Sequence, residues 1–256
     1  MAVTVSDLSY WDVHDAYRSR DNYREVFSST INRISSEVGR SLDSVKSVLS
    51  FGPGDGRYEI EFLEKCAANV SNLTAVDSDD KSIEQLKINL RNSLPKVEAV
   101  VIKADFHSWK GLEEPVNLVL LFQVLYYYSS SERKQLLKKL HDHWLTAGGF
   151  VAVASASKTK VPGNALEILE RFESPVVSWE DIEADVLDIG FVKRHASGIQ
   201  FMRDFTNPDE AFLRFYQSHI DHPVTLNDIR DALKELYPEG KTDQCFNNLA
   251  VFQRVK

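Results

Sequence analysis

Short β-rich runs alternate with amphipathic stretches along the first 157 residues, and this alternation constrains the fold more than any other feature of the sequence. Between the runs, residues 58–68, 79–92 and 131–145 carry apolar side chains at the spacing of three and four that is typical of helices. Strands that alternate with helices predict βαβ units and a parallel sheet. The five runs are KSVLSFG (46–52), NLTAVD (72–77), VEAVVIKAD (97–105), VNLVLLFQV (116–124) and GGFVAVASAS (148–157).

Two interruptions break this alternation in the second half of the chain. Between and after them come a helix-like stretch, SWEDIEADVLDIGF, a strand-like one, FVKRHASGIQF, and a last strand, CFNNLAVFQRVK. We therefore expect one α/β domain over residues 1–256, with a Rossmann-like, doubly wound, mostly parallel sheet of seven strands. Its core is expected at about 41–157, 179–202 and 244–256, and a helical substrate-binding cap at 1–40, 158–178 and 203–243.

Composition narrows the classes of partner. The longest apolar runs fall well short of the roughly 20 residues that a membrane span needs, so no membrane partner is expected. A net charge of −8 without a lysine or arginine block argues against a nucleic-acid partner. It favours a small-molecule substrate that carries a positive charge. The start of the sequence lacks the basic and apolar segments of a secretory signal, and the two cysteines, Cys66 and Cys245, are far apart. A cytoplasmic monomer is expected.

The first strand runs into a glycine turn, GPGDG, at residues 52–56. Gly52, Gly54 and Gly56 would allow a ligand to approach the backbone N–H groups at the start of the following helix. The GxGxG spacing differs from the GxGxxG of dinucleotide sites, which disfavours NAD. A plain tight turn between strand and helix remains the alternative.

Two aspartates follow the next two strands. Asp77 ends the second strand, where a carboxylate can accept hydrogen bonds from ribose hydroxyls, and Asp105 ends the third, where an acceptor can meet an adenine amino group. Either aspartate alone can be explained as a helix N-cap. Their combination with the glycine turn at one edge of the sheet favours a nucleoside ligand.

Residues 46–157 resemble the class I S-adenosylmethionine-dependent methyltransferases, whose first motif is a strand with GxGxG and whose second strand ends in an acid. This resemblance implies S-adenosyl-L-methionine as the cofactor. The pattern Gln-x-Leu-Tyr-Tyr at residues 123–127, the Phe-Asn-Asn at 246–248 and the helix-like stretch SWEDIEADVLDIGF resemble the histamine N-methyltransferases over nearly the whole chain.

That second resemblance implies roles for individual residues. Gly52, Asp77, Ser82 and the backbone at Phe122 would hold the methyl donor, with His107 and Ser108 near its adenine. The acceptor pocket would be lined by Gln123, Tyr126, Tyr127 and Asn248. An acid near the N-terminus would bind the substrate, and Asp21 is the nearest match, with Asp12 and Asp15 as rivals.

A binding role for Tyr126 and Tyr127 is also indicated by the chemistry of their side chains alone. Two tyrosine rings can form the walls of an aromatic cage, which favours amines through cation–π attraction. The alternative is that both rings simply pack beneath the cap.

The expected reaction is in-line methyl transfer to a small amine or imidazole. It requires alignment and exclusion of water rather than a nucleophilic side chain, so Tyr126 and Tyr127 are assigned positioning roles. The histidines at 141, 143, 219 and 222 do not form a metal-ligand pattern, and no metal is expected. The alternatives are an O-methyltransferase for a phenol or carboxylate, an NAD-dependent oxidoreductase, and an inactive protein that binds S-adenosylmethionine.

Overall fold

The structure, a computed structural model, describes residues 8–105, 107–158 and 166–255. Its helices are α1 (Tyr10–Arg18), α2 (Tyr23–Leu42), α3 (Arg57–Cys66), α4 (Asp80–Ser93), α5 (Ser130–Lys139), α6 (Glu167–Arg171), α7 (Trp179–Asp188), α8 (Glu210–His219) and α9 (Leu226–Leu236). Its strands are β1 (Ser47–Phe51), β2 (Asn72–Asp77), β3 (Glu98–Lys103), β4 (Val116–Phe122), β5 (Leu145–Ala156), β6 (Phe191–Asp204) and β7 (Lys241–Arg254). None of the helices in these ranges is long and apolar enough to cross a membrane.

The strands form one sheet in the order β3-β2-β1-β4-β5-β7-β6. The pairs β3-β2, β2-β1, β1-β4 and β4-β5 are parallel, whereas β7 runs antiparallel to β5. The predicted doubly wound, mostly parallel sheet of seven strands is therefore confirmed. The chain leaves β1 toward β2 and β3 on one side and returns to β4 on the other.

Burial explains why the central strands form where they do. Leu118–Leu121 of β4 are fully buried, as are Val151–Val153 of β5. A strand of a parallel sheet that is covered on both faces reads as a continuous apolar run, which is the pattern of these two segments. On β4, the Phe122 ring packs 5.5 Å from Phe62 of α3 and 6.0 Å from Phe27 of α2, measured between ring centroids.

Local hydrogen bonds fix where the helices begin. Capping boxes start α5 at Ser129 and α7 at Ser178, each with an acid three residues later that bonds back to the cap. Asp79 caps α4 through a 2.8 Å bond from the Ser82 N–H. These side chains satisfy N–H groups that have no partner within the helix.

The chain divides into two compact units. The sheet unit takes its described residues from Phe27–Ser157, Ser178–Ile199 and Asn247–Lys256. The helical unit takes its described residues from Met1–Val26, Lys158–Val177 and Gln200–Phe246. Strands β6 and β7 each contribute residues to both, so the division falls inside strands and not at a linker.

The helical unit has a core of its own. Helix α1 packs against α8, α8 packs against α9, and α6 contacts both α8 and α9. The aromatic side chains Phe205, Phe212, Tyr216 and Tyr237 are buried in this unit, with the Phe205 and Tyr237 rings stacked 4.1 Å apart. The aromatic stripe of α8 is therefore packing within the unit.

Candidate functional site

The carboxyl edge of the sheet holds the topological switch point between β1 and β4. The connections that follow these two adjacent strands diverge, one toward β2 and the other toward β5. In open α/β sheets, ligands bind in the crevice that opens at such a point. The glycine turn follows β1 and Gln123 follows β4, so the structure brings both predicted elements to this place.

The glycine turn has a left-handed backbone. Gly52, Gly54 and Gly56 have φ of 64°, 59° and 74°. The turn is closed by two backbone bonds, from Gly52 N–H to the Val76 carbonyl at 2.8 Å and from Gly56 N–H to the Pro53 carbonyl at 2.9 Å. Residues other than glycine rarely adopt such φ values, so all three positions favour glycine.

The three glycines differ in what surrounds them. A Cβ on Gly52 would lie 2.4 Å from the Val124 side chain, and one on Gly56 would lie 2.3 Å from Leu86. A Cβ on Gly54 would meet no atom within 4 Å. Packing therefore explains Gly52 and Gly56, whereas Gly54 leaves its backbone open to a ligand.

Asp77 is held directly beside this open glycine. Its carboxylate accepts bonds from Gly54 N–H at 2.8 Å and from Asp79 N–H at 3.0 Å. The residue is 9% exposed, and burial raises the pKa of its carboxyl, against the lowering effect of the backbone bonds. An oriented acceptor at the end of β2, next to an unobstructed turn, suits the hydroxyls of a ribose.

Asp105 follows β3 and organises its own turn. One carboxylate oxygen accepts bonds from His107 N–H and Ser108 N–H, both at 2.8 Å, and the Ser108 backbone bond is the largest of the effects that lower the pKa of this exposed carboxyl. His107 Nε2 lies 3.3 Å from a carboxylate oxygen of Glu132 on α5. The Asp105 turn is thereby tied to the start of α5. Phe106 lies outside the described residues.

Ser82 and Phe122, both predicted to hold the cofactor, are buried. Ser82 lies in the first turn of α4 and its N–H is used by the Asp79 cap. The Phe122 ring packs into the sheet unit, which leaves its backbone as the part that a ligand at the edge can meet.

Gln123 has a backbone conformation that its residue type rarely adopts. Its φ is 53°, and its N–H bonds the Ala154 carbonyl of β5 at 2.8 Å. A non-glycine residue held in the left-handed region needs support from its surroundings, and such residues concentrate at functional sites. Gln123 turns the chain away from the sheet at the switch point.

A short 3₁₀ turn after Gln123 carries the predicted tyrosine pair. The Tyr126 and Tyr127 rings have centroids 4.4 Å apart and hydroxyl oxygens 3.3 Å apart, and Tyr127 is 42% exposed. Tyr126 is half-buried, and the exposed ring of Tyr127 beside it is a surface that a cation can approach.

Asn248 lies at the same edge of the sheet. It pairs with Ser155 of β5, one residue beyond the register row that joins Phe122, Ala154 and Leu249. Strand β5 therefore lies between Asn248 of β7 and the end of β4 at Phe122, the residue before Gln123. Nothing in the sequence alone could give this register.

Asp21 lies in the helical unit, where both of its carboxylate oxygens have partners. One accepts a bond from Tyr23 N–H at 3.1 Å and the other pairs with the buried Arg203 guanidinium. Of the rival acids, Asp12 completes the capping box of α1 with Ser9, and Asp15 is exposed on that helix. The acceptor-binding role assigned to Asp21 stays a prediction.

A buried ion pair that was not predicted from the sequence contacts the backbone of Tyr128. The Arg133 guanidinium of α5 donates to Asp185 of α7 at 2.9 Å through Nε, and its Nη1 donates to the Tyr128 carbonyl at 2.8 Å. Both charged residues fall on apolar stripes, Arg133 with Leu136 and Leu137, and Asp185 with Ile182. A charge at such a position was the signal that could have revealed the pair.

No group of three or more histidine, cysteine, aspartate or glutamate side chains that could hold a metal ion is found within residues 8–105, 107–158 and 166–255.

A family model described as "methyltransferase domain" matches residues 48–149. This range contains the glycine turn, Asp77, Asp105 and the tyrosines at 126–128. Residues 48–149 are therefore similar to a methyltransferase domain. The predicted cofactor, S-adenosyl-L-methionine, is confirmed, and the open turn at Gly54 beside the Asp77 carboxylate fits it. The fold is that of the class I methyltransferases.

Solved structures share this fold at low sequence identity. The N-methyltransferase NodS from Bradyrhizobium japonicum WM9 is 12% identical, with a TM-score of 0.56 over 90% of this chain and 97% of that one. The magnesium protoporphyrin IX methyltransferase ChlM from Synechocystis PCC 6803, solved with bound S-adenosylmethionine, is 12% identical, with a TM-score of 0.54 over 97% of this chain and 86% of that one. A geranyl diphosphate methyltransferase is 14% identical, with a TM-score of 0.53 over 89% and 85%.

Comparison with the curated proteins gives no match to this chain. The solved structures include methyltransferases that are named for different acceptors, so the shared fold does not specify an acceptor for this chain.

Proposed function

We propose that this methyltransferase transfers a methyl group from S-adenosylmethionine to a nitrogen atom of a small cationic amine or imidazole. The observation that carries the proposal is the Tyr126–Tyr127 pair, half-buried at Tyr126 and exposed at Tyr127, which follows the left-handed Gln123 at the switch point. The faces of tyrosine rings attract ammonium and imidazolium groups, each contact contributing about 0.5–2 kcal/mol.

The polar residues at this edge support the same substrate class. Gln123 follows the end of β4 and Asn248 lies on β7, with β5 between the two strands at this edge of the sheet, and two strand spacings together span about 10 Å, the scale of a small molecule. Their amides can accept hydrogen bonds from N–H groups of an amine and donate to a neutral imidazole nitrogen. Tyr126, Tyr127, Gln123 and Asn248 are therefore proposed to line the acceptor pocket.

The donor half of the proposal uses the glycine turn and its aspartates. Gly52 and Gly54 would admit the cofactor to the turn, Asp77 would accept from the ribose hydroxyls, and Asp105 with His107 would lie by the adenine. Ser82 and the Phe122 backbone complete the proposed donor site. Bound there, S-adenosylmethionine supplies a methyl group on a positively charged sulfur.

The residues of the pocket then have to align the two reactants and keep water away from them. Methyl transfer is an in-line displacement, so the pocket must hold the attacking nitrogen opposite the leaving sulfur and exclude water. The nitrogen must be neutral when it attacks, so an ammonium substrate gives a proton to solvent first. Tyr126 and Tyr127 are proposed to position the acceptor, with no covalent role.

A screen of small amines, imidazoles and phenols for release of S-adenosylhomocysteine tests this function. Amines or imidazoles are expected to be methylated, and Asp77→Ala serves as a control that should lose donor binding. Methylation of phenols or carboxylates alone would replace the proposal with an O-methyltransferase. Binding of S-adenosylhomocysteine without turnover would indicate a protein that has lost the chemistry, and preferential binding of NADH would indicate an oxidoreductase.

A matched pair of variants tests the aromatic contact. Tyr127→Phe keeps the ring and should leave the acceptor KM within about twofold of the wild type, whereas Tyr127→Leu should raise it about fivefold or more. Equal KM values in the two variants would remove the ring of Tyr127 from acceptor recognition.

A further inference from the structure

The Asp105 turn runs directly into a buried tryptophan. Asp105, His107 and Ser108 are exposed, whereas Trp109 is 8% exposed. The Trp109 N–H donates to the Asp105 carbonyl at 3.0 Å, so a backbone bond joins the buried residue to the one expected to meet the adenine. Turns at a protein surface move unless something fixes them, and Trp109 is the side chain here that packing can hold.

The Trp109 indole packs against two rings that come from separate elements. Its ring centroid lies 5.7 Å from that of Phe51 and 4.7 Å from that of Trp144, the second in an edge-to-face arrangement. Both partner rings are buried. Such aromatic pairs stabilise a structure beyond the apolar area that they bury. Because Phe51 is the last residue of β1, the indole ties the Asp105 turn to the strand that leads into the glycine turn.

Trp144 holds the same loop at a second place. It ends the π turn Leu140–Trp144, which continues α5 up to the start of β5. Gly111, two residues after Trp109, has φ of 96°, and an added Cβ there would lie 2.5 Å from Trp144 Nε1. Turns of the π type are rare and are frequent at functional sites. The loop after β3 is therefore held by Trp144 both at Trp109 and at Gly111.

The orientation of the Asp105 carboxylate depends on this backbone. Its Oδ1 accepts the N–H bonds of His107 and Ser108, both at 2.8 Å, and the Trp109 N–H follows next along the chain. A hydrogen bond weakens steeply when its geometry is lost. A shift of the Trp109 backbone would therefore move the carboxylate away from the place where it can accept a bond from a ligand.

We propose that Trp109 is a positioning residue for the adenine of S-adenosylmethionine, which acts by fixing the Asp105 carboxylate relative to the glycine turn. The indole itself is assigned no contact with the ligand. The inference rests on the adenine role that the proposed function gives to Asp105, and it does not depend on which acceptor is methylated.

Calorimetry with two ligands tests this role. S-Inosylhomocysteine carries an oxygen in place of the 6-amino group of S-adenosylhomocysteine, so it cannot donate a bond to Asp105 from that position. The wild type should prefer S-adenosylhomocysteine about tenfold or more, the effect of one hydrogen bond to a charged acceptor.

Trp109→Leu keeps an apolar side chain but loses both ring contacts. The preference should fall to about twofold, while the Kd for S-inosylhomocysteine stays within about threefold of the wild type, because only the amino group makes the bond that is lost. Trp109→Phe keeps a ring against Phe51 and should retain most of the preference. An equal rise of both Kd values in Trp109→Leu would show a general loss of the site and overturn the proposal.

Asp105→Ala separates this inference from the role on which it rests. The variant should lose the preference by itself, and Trp109→Leu added to it should change the preference no further if Trp109 acts through Asp105. An undiminished preference in Asp105→Ala would remove the adenine role of Asp105 and the inference with it. Loss of the preference in Asp105→Ala but not in Trp109→Leu would overturn the inference alone.

Trp179→Leu is the matched control for the loss of a buried indole. Trp179 is 5% exposed and stacks on Phe252, with ring centroids 6.2 Å apart, at the start of α7. This variant should lower the thermal unfolding midpoint as Trp109→Leu does and leave the preference unchanged. A fall in preference equal to that in Trp109→Leu would make the effect one of stability and refute positioning. If the wild type shows the preference but methylates none of the screened acceptors, the proposed function fails while the Kd values still decide this inference.

Discussion

Individual residues at the carboxyl edge divide into those that packing explains and those that it does not. Gly52 and Gly56 are enclosed by Val124 and Leu86, so their small size is needed by the fold itself. Gly54 has open space around its Cβ position and an N–H bonded to the Asp77 carboxylate. The positive φ and the close packing at Gly52 and Gly56 are requirements of the fold. The open space at Gly54 is the feature that concerns a ligand.

This difference predicts opposite outcomes for two glycine variants. Gly54→Ala should cost only the strain of a left-handed alanine, about 1 kcal/mol, but should weaken S-adenosylhomocysteine binding about tenfold or more by obstructing the turn. Gly52→Ala should lower the thermal unfolding midpoint much further because its Cβ would overlap Val124. Thermal unfolding and calorimetry on the two variants separate these effects, and undiminished affinity in Gly54→Ala would place the ligand elsewhere.

His14 in the helical unit predicts sensitivity to acid. Burial, together with the charges of Arg18 and His219, lowers its pKa to about 3. The native state therefore keeps His14 neutral while the unfolded chain takes up a proton below about pH 6.5, so the free energy of unfolding falls as the pH drops from about 6.5 toward 3. One such group gives a slope of up to about 1.4 kcal/mol per pH unit.

Urea unfolding at pH 7, 6 and 5 measures this slope. His14→Phe keeps an aromatic ring against Phe215, whose ring centroid lies 5.0 Å from that of His14, but cannot take up a proton. The slope should be smaller in this variant, although His219, whose pKa burial also lowers, still contributes. An identical slope in variant and wild type would exclude His14 as the source.

At the scale of helices and strands, the sequence predicted the elements whose pattern is local. The strand at 72–77 has the predicted bounds. By contrast, β7 begins at Lys241 and β5 at Leu145, earlier than predicted, because sheet pairing extends both strands into polar or glycine-containing sequence. The helix predicted over 131–145 ends as α-helix at Lys139 and continues as one π turn to Trp144.

The parts of the site that could not be predicted depend on contacts between distant elements. Gln123 has no feature of type or position that announces a positive φ, which its bond to β5 holds in place. The pairing of Asp21 with Arg203 joins residues 182 positions apart. The glycine turn and Asp77 were predictable because their chemistry is tied to the ends of adjacent strands.

The capping box of α7 provides a prediction at this scale. Ser178 is buried, and its hydroxyl accepts from Asp181 N–H at the start of the helix that holds Asp185. Ser178→Ala should lower the free energy of unfolding by about 1 kcal/mol in urea titrations. Ser36→Ala, at an exposed position inside α2, is the control and should change stability by less than about 0.5 kcal/mol.

For the whole molecule, the domain limits expected from sequence and the compact units differ mainly at α2. The expected core began near residue 41, whereas the sheet unit begins at Phe27 and includes most of that helix. The apolar positions of α2 are the physical reason, since Phe27, Ile31, Val38 and Leu42 are fully buried. Amphipathic periodicity shows that a helix packs but not which partner its apolar face meets.

The net charge of −8 leads to the last prediction, which concerns the acceptor. A negative molecule attracts a cationic substrate at long range, and salt screens that attraction over a Debye length of about 10 Å at 0.1 M. For a cationic amine, kcat/KM should therefore fall about two- to fivefold between 20 and 200 mM NaCl. A neutral acceptor of similar size is the control and should show little change. Equal salt dependence for the two acceptors would show that the overall charge plays no part in capturing the substrate, and the recognition of the amine would then rest on the contacts within the pocket.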